Sequence, residues 1–443
     1  MKRRPMKMIK IITQALLVVL LTQGCAFKTT DKNKLSPVLV ELKSHESGYQ
    51  LYVDDQPFFI QGAGLEGGSI EALAEHGGNA MRTWRTDNHF RTGQEILDLA
   101  HKQGIKVCMG LEIARERHGF DYDDSVAVRE QFEYAKAEVL KYKDHPALLA
   151  WGIGNELNLH YSNPKVWDAV NDISEMIQEL DPYHPTTTML AGADHEVVNA
   201  VIERCPSLDF LSFQLYGDII NLPGYLEEGE YDGPFVVSEW GATGHWEVAT
   251  TSWGRPIEQT SHEKAMSYKN RYQQVIEPLK GKCLGSFVFL WGQKQERTPT
   301  WYGMFLESGE DTESTDVMQF LWTGNWPENR APVLKAFLLN GKTAYDNLKL
   351  KKGMTYMASV AVTDHENDQL MYRWEIMPEV PKNMQSDGGD FEQRPKTVMM
   401  KETKQDQISF SAPDEPGQYR IFVYAFDGNN NGATANIPFM IEE

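Results

Sequence analysis

From about position 58 to 322, short apolar runs alternate with longer segments in which apolar residues recur every three or four positions. Apolar runs bounded by turn residues are the signature of parallel strands buried on both faces, and the longer segments that of helices packed against them. The pattern predicts strands at 58–62, 79–84, 105–111, 147–155, 186–190, 210–216, 234–238 and 284–291. It predicts helices around 69–77, 92–104, 125–144, 164–180, 194–204, 261–278 and 315–322. Gly104 supplies a C-terminal stop for the second helix, and Asp181-Pro182 follows the fourth. Eight strands alternating with helices over 58–328 fit an α/β fold of the (β/α)8 TIM-barrel type. A doubly wound open sheet is the competing arrangement. It would place a glycine-rich phosphate loop after the first strand. Gly62-Ala63-Gly64-Leu65-Glu66-Gly67 lacks the third glycine of that spacing and carries an acid, so it reads as a plain loop.

A hairpin leads into this region, at 38–44 and 49–53, with Asp54-Asp55-Gln56-Pro57 as a turn. The character changes after Glu328-Asn329-Arg330-Ala331-Pro332. Short alternating runs at 354–362, 371–376, 407–411, 419–426 and 433–441 are separated by Asp, Asn, Gly and Pro turns. They predict a small all-β sandwich over 331–443.

The first 25 residues read as an export signal. Lys2, Arg3, Arg4, Lys7 and Lys10 precede an apolar stretch at 11–21 that is too short for a permanent membrane span. Thr22-Gln23-Gly24-Cys25 then resembles a bacterial lipoprotein cleavage box, with Cys25 acylated and the chain anchored by lipid in the cell envelope. Plain secretion and a membrane anchor are the alternatives. Residues 26–57 hold a polar tether and the lead-in hairpin. The formal net charge is −20, and removing the five cations of the leader takes it to −25. So acidic a surface excludes nucleic acid and disfavours polyanionic substrates, while neutral glycans stay compatible. Cys108, Cys205 and Cys283 show neither metal-ligand spacing nor a histidine partner, so no cofactor and no catalytic metal is expected.

Two predicted strands end in glutamate: Trp151-Gly152-Ile153-Gly154-Asn155-Glu156 and Phe235-Val236-Val237-Ser238-Glu239-Trp240-Gly241. They are strands four and seven. A carboxylate at the C-terminal end of a buried strand has little structural use, but the catalytic groups of a TIM barrel sit at that end. Retaining cleavage of a glycosidic bond needs two carboxyl groups roughly 5–5.5 Å apart. One attacks the anomeric carbon; the other protonates the leaving oxygen and later deprotonates water. Buried salt-bridged acids are the structural alternative.

Gly154-Asn155-Glu156 and Ser238-Glu239-Trp240-Gly241 resemble the two catalytic motifs of clan A retaining glycoside hydrolases. The likeness is to the barrel of glycoside hydrolase family 2 and to β-glucanase and β-glucanosyltransferase families, and it covers residues 58 to about 326. It implies that Glu156 is the acid/base, Glu239 the nucleophile, and Asn155 a partner of the sugar 2-hydroxyl. It further implies that Arg82 pairs with the nucleophile, that Tyr216 donates to it, and that Trp291 is the platform under the sugar. Family 2 enzymes carry β-sandwich domains before the barrel, whereas only a hairpin stands here. That turns the expected substrate toward a β-glucan or β-linked oligosaccharide.

Among the loop residues, His118, Trp246 and Trp301 are candidates for stacking on or binding neighbouring sugars, with packing of the loops themselves as the alternative. Residues 362–375 resemble immunoglobulin-like repeats of bacterial surface proteins. There Asp364, Glu366 and Asp368 offer oxygen ligands for calcium, or simply a solvated turn. The all-β region is expected to act as a spacer between membrane and barrel. Three functional readings remain on the sequence: hydrolase, transglycosylase on the same residues, and a glycan-binding surface lipoprotein without catalysis.

Overall fold

The computed structural model describes residues 36–229, 231–386 and 392–442. The leader and Cys25 lie outside the described residues. No helix among those described is long and apolar enough to cross a membrane.

Eight parallel strands close into a barrel: Ile60–Gly64, Ala80–Arg82, Lys106–Leu111, Leu148–Asn155, Thr186–Ala191, Leu211–Gln214, Phe235–Gly241 and Cys283–Phe289. Each pairs with its sequence neighbour, and the eighth pairs with the first. The strands read as continuous apolar runs because helices cover their outer faces. The helix Lys165–Leu180 shows how: Val166, Trp167, Val170, Ile173, Met176 and Ile177 recur at helical spacing and are buried. Helix starts follow their capping residues. Thr92 with Glu95 and Thr260 with Glu263 form capping boxes, and Asp124 and Asp194 accept from first-turn amides. A short helix, Leu222–Glu228, follows the sixth strand, where the sequence pattern gave none.

The lead-in differs from the expected hairpin. It is a three-stranded meander, Val40–His45, Gly48–Val53 and Gln56–Phe58. Asp54 and Asp55 take left-handed backbone conformations in the turn, a role suited to short polar side chains. Phe58 therefore belongs to the meander, and the first barrel strand starts at Ile60. Val38, Val40, Leu51 and Val53 pack with Ile60, Leu149, Phe210 and Phe287 in one apolar cluster, which stoppers the end of the barrel where the strands begin.

After the barrel, two β-sheets share one core. One holds Val333–Leu339, Thr355–Thr363 and Gln407–Ser411; the other holds Lys349–Lys351, Gly432–Glu442, Gly417–Phe426, Met371–Pro378 and Met399–Thr403. This is consistent with an immunoglobulin-like sandwich. The strands Val333–Leu339, Lys349–Lys351 and Met399–Thr403 were not evident in the sequence pattern, being very short or interrupted by lysine. Tyr419, Phe422 and Tyr424 are all buried, and Phe422 and Tyr424 pack with Leu306 and Met377. They are core residues. The region does not stand apart from the barrel as a spacer would. The buried Glu258 accepts from Lys264 and Thr300 on the barrel side and, at 2.6 Å, from Asn436 of the five-stranded sheet. Arg420 reaches back to the Pro256 carbonyl at 2.9 Å.

In the candidate calcium loop, Asp364 Oδ1 accepts from the backbone of Glu366 and Asp368 and closes the turn. Its carboxylate gathers with those of Asp368 and Asp427, not with that of Glu366.

Candidate active site

The loops at the C-terminal ends of the barrel strands surround a cavity of about 800 Å3. Glu156 and Glu239 both line it. Glu239 lies within the seventh strand and is 5% exposed. Its Oε1 accepts from Arg82 Nη1 (3.0 Å), Trp84 Nε1 (2.7 Å) and Gln214 Nε2 (2.9 Å), and its Oε2 from the Tyr216 hydroxyl (2.8 Å). Every partner donates, which suits an acceptor-only carboxylate. Arg82 is 1% exposed and does not touch the cavity. It sits behind the carboxylate and also donates to the Ser238 carbonyl and to Asn155 Oδ1. It holds the site together instead of binding substrate directly.

Asn155 Oδ1 accepts from both Arg82 (2.8 Å) and Gln214 (2.7 Å). With its oxygen held, the amide can offer Nδ2 as a donor to a ligand. Glu156 follows immediately, with a left-handed backbone (φ 51°) just beyond Gly154 at φ 76°. A non-glycine residue there is uncommon and costs energy, and such strain clusters at functional positions. The surrounding contacts hold it: Glu156 N donates to the Met189 carbonyl (2.9 Å), and Arg117 Nη1 donates to the Glu156 carbonyl (2.6 Å).

The Glu156 side chain keeps 22% of its surface open and lines the cavity. Burial raises its pKa, the Glu239 charge raises it further, and Arg117, Arg115 and Arg82 oppose both, leaving it at about 7. The two carboxyls thus differ in kind. One is saturated with donors; the other holds its proton to neutral pH, as a general acid must. Burial also pushes the thiols of Cys108, Cys205 and Cys283 up to about 12, so none is a nucleophile at neutral pH.

Three sequence candidates fall elsewhere. Trp291 is fully buried and does not line the cavity. The eighth strand ends at Phe289, and two residues later the chain has turned Trp291 outward onto His76, Phe305 and Trp322, its Nε1 donating to the Ser69 carbonyl at 3.2 Å. Phe289 is the aromatic that faces the cavity from this strand. Trp301 is 1% exposed and packs loops together, its Nε1 donating to the Thr243 carbonyl. His118 is exposed on a short 3-10 turn, while Arg115 and Arg117 of the same loop line the cavity. Trp246 does line the cavity and is 61% exposed. Tyr216 and Asn155 also line it.

Trp84, Gln214, Arg115, Arg117 and Phe289 are the site residues that sequence reasoning did not single out. Their one signal is position, since each lies at or just beyond the end of a barrel strand.

No family model matches the chain. Human β-glucuronidase is 22% identical over 182 residues, which are 38% of this chain and 26% of that protein. The chain thus spans about a quarter of the length of the curated relatives it matches. Among solved structures, a β-glucuronidase from Ruminococcus gnavus bound to D-glucaro-1,5-lactone superposes with a TM-score of 0.49 at 14% identity, over 64% of this chain and 53% of that one. A putative β-galactosidase from Bacteroides fragilis gives 0.48 at 11%, over 91% and 58%.

Proposed function

We propose that the chain is a retaining β-glycoside hydrolase that cleaves a neutral β-glucan or β-linked oligosaccharide. The observation that carries this is the pair at the barrel mouth: Glu239 ringed by donors, and Glu156 with its pKa raised to about 7, on one cavity. In this reading Glu239 Oε2 or Oε1 attacks the anomeric carbon while Glu156 gives its proton to the leaving oxygen. Ionised Glu156 then takes a proton from water, which displaces Glu239. Asn155 Nδ2 donates to the sugar beside the reacting carbon.

A neutral substrate is favoured by the charge on the wall. Most of the cavity cations are engaged by acids: Arg85 with Glu66 (3.5 Å), Lys294 with Glu296 (2.7 Å), Arg297 with Glu392, and Arg394 with Glu375, while Arg115 donates to the Asn155 carbonyl (3.0 Å). A uronic acid or sulfate would have to compete with these partners.

Proton NMR of the first product formed from a β-glucan oligosaccharide tests the mechanism. The expected product is the β-anomer; an initial α-anomer removes the double displacement.

The leader also supports export and lipid attachment through Cys25, placing the enzyme in a bacterial envelope. Labelled palmitate should then enter the wild-type chain and not Cys25→Ser. Equal labelling of the two would remove the anchor.

A further inference from the structure

Part of the cavity wall comes from outside the barrel. Ser386, Glu392 and Arg394 lie between the strands Met371–Pro378 and Met399–Thr403, yet line the same cavity as Glu156 and Glu239. The barrel holds them there. Arg297, on the loop after the eighth barrel strand, donates through its backbone N and Nη1 to the two oxygens of Glu392, and through Nη2 to the Ser386 carbonyl at 3.1 Å. Glu392 is 2% exposed and also accepts from Ser386 N at 3.1 Å. So buried an ion pair fixes geometry more than it adds stability.

On this fixed wall polar atoms are left over. Gln295 Nε2 and Oε1, Ser386 Oγ and Arg394 Nε are buried and have no hydrogen-bond partner among the described residues. Buried polar groups are almost always satisfied, so several unmet ones on the wall of a ligand cavity point to the ligand as their partner. Gln295 and Ser386 are only partly buried as residues, and the terminal amide torsion is soft, so a bound molecule can draw these atoms out. Together they offer donors, an acceptor and a hydroxyl that serves as either. Ring hydroxyls of a sugar, each both donor and acceptor, match that set. The charge of Arg394 is already met by the two oxygens of Glu375, at 3.0 and 2.9 Å, so the wall asks for a neutral group. The cavity, at about 800 Å3, is near the upper end of the roughly 300–1,000 Å3 usual for ligand pockets, which leaves room beyond one ring.

We propose that Gln295, Ser386 and Arg394 form a subsite for a second, neutral sugar residue of the substrate, two of the three residues being supplied by the C-terminal β-region. The proposal rests on the glycosidase reading above and assigns that region a part in substrate selection. It is tested in the full mature chain with Gln295→Ala and Ser386→Ala, comparing kcat/KM for p-nitrophenyl β-glucoside with that for β-1,3- and β-1,4-linked glucohexaoses. Each variant is expected to lose about tenfold more on the preferred hexaose than on the aryl glucoside, chiefly through KM, as for the loss of about one hydrogen bond. Equal losses on both substrates, or none on either, would overturn the subsite and leave the glycosidase reading standing. Wild-type activity on the aryl glucoside alone would also overturn it. Silence of the wild type toward every substrate would instead remove the β-glucan reading, and the subsite with it.

Discussion

Glu239→Ala is expected to lower kcat by about 10⁴-fold or more, a loss of about 5 kcal/mol of transition-state stabilisation. In the proposed mechanism the variant removes the group that attacks the anomeric carbon. It also removes the partner of Arg82, which is 1% exposed, and strands the donors of Trp84, Gln214 and Tyr216. Breaking a buried ion pair costs about 3–5 kcal/mol, reduced here because the new hole opens onto the cavity and can fill with water. A lower but still cooperative thermal transition is therefore expected, and Glu239→Gln, which keeps the shape, controls for it. With azide and an activated aryl β-glycoside, Glu239→Ala should yield the α-glycosyl azide, because azide enters from the face the carboxylate vacated. Retention of wild-type turnover by either variant would remove Glu239 as nucleophile.

Glu156→Ala should give the opposite stereochemistry. Here the glycosyl-enzyme still forms with an activated aryl leaving group that needs no proton, but water is no longer deprotonated. Azide should rescue turnover and emerge as the β-glycosyl azide, since it enters from the Glu156 face. The pH profile supplies an independent readout. The raised pKa keeps Glu156 protonated up to about 7, so the acid is lost as pH rises through that value. For substrates with poor leaving groups, kcat/KM of the wild type should fall tenfold per pH unit on the alkaline side of about 7. In the residual activity of Glu156→Ala toward the same substrates, that limb should vanish. A limb that stays in place would assign it to another group. The same shift has a stability consequence. A carboxyl whose folded pKa is raised binds its proton more tightly than in the unfolded chain, so its ionisation weakens the fold as pH rises from about 4.5 to about 7. Glu156→Gln should consequently be more stable than wild type above pH 7.

The barrel was legible because its strands are buried on both faces and its helices on one, so period and length alone separate them. Glu156 and Glu239 were legible as candidates for a related reason: a carboxylate at the end of an apolar strand stands out and has little structural use there beyond an ion pair. Some of the aromatics were not. Phe289 and Trp291 stand two positions apart, and which ring turns inward depends on where the strand stops and on His76, Phe305 and Trp322 packing behind it. No local pattern carries that. Trp301 and His118 failed for the same reason, their direction being set by loop packing rather than by strand alternation. Ser386, Glu392 and Arg394 are remote from the barrel in sequence and are held at the cavity by contacts such as those of Arg297 with Glu392 and Ser386. Such a contact between distant segments exists only once the chain has folded.

The central claim is that Glu239 becomes covalently glycosylated. A 2-deoxy-2-fluoro-β-glucosyl fluoride tests it most directly, because the 2-fluorine disfavours positive charge at the ring and slows release of the intermediate more than the good leaving group slows its formation. Incubation followed by peptide mass spectrometry should find one fluoroglucosyl adduct, on the peptide carrying Glu239, with activity lost in step with labelling. An adduct on Glu156 or elsewhere, or hydrolysis of substrate with no adduct formed at any concentration of the reagent, would contradict the account.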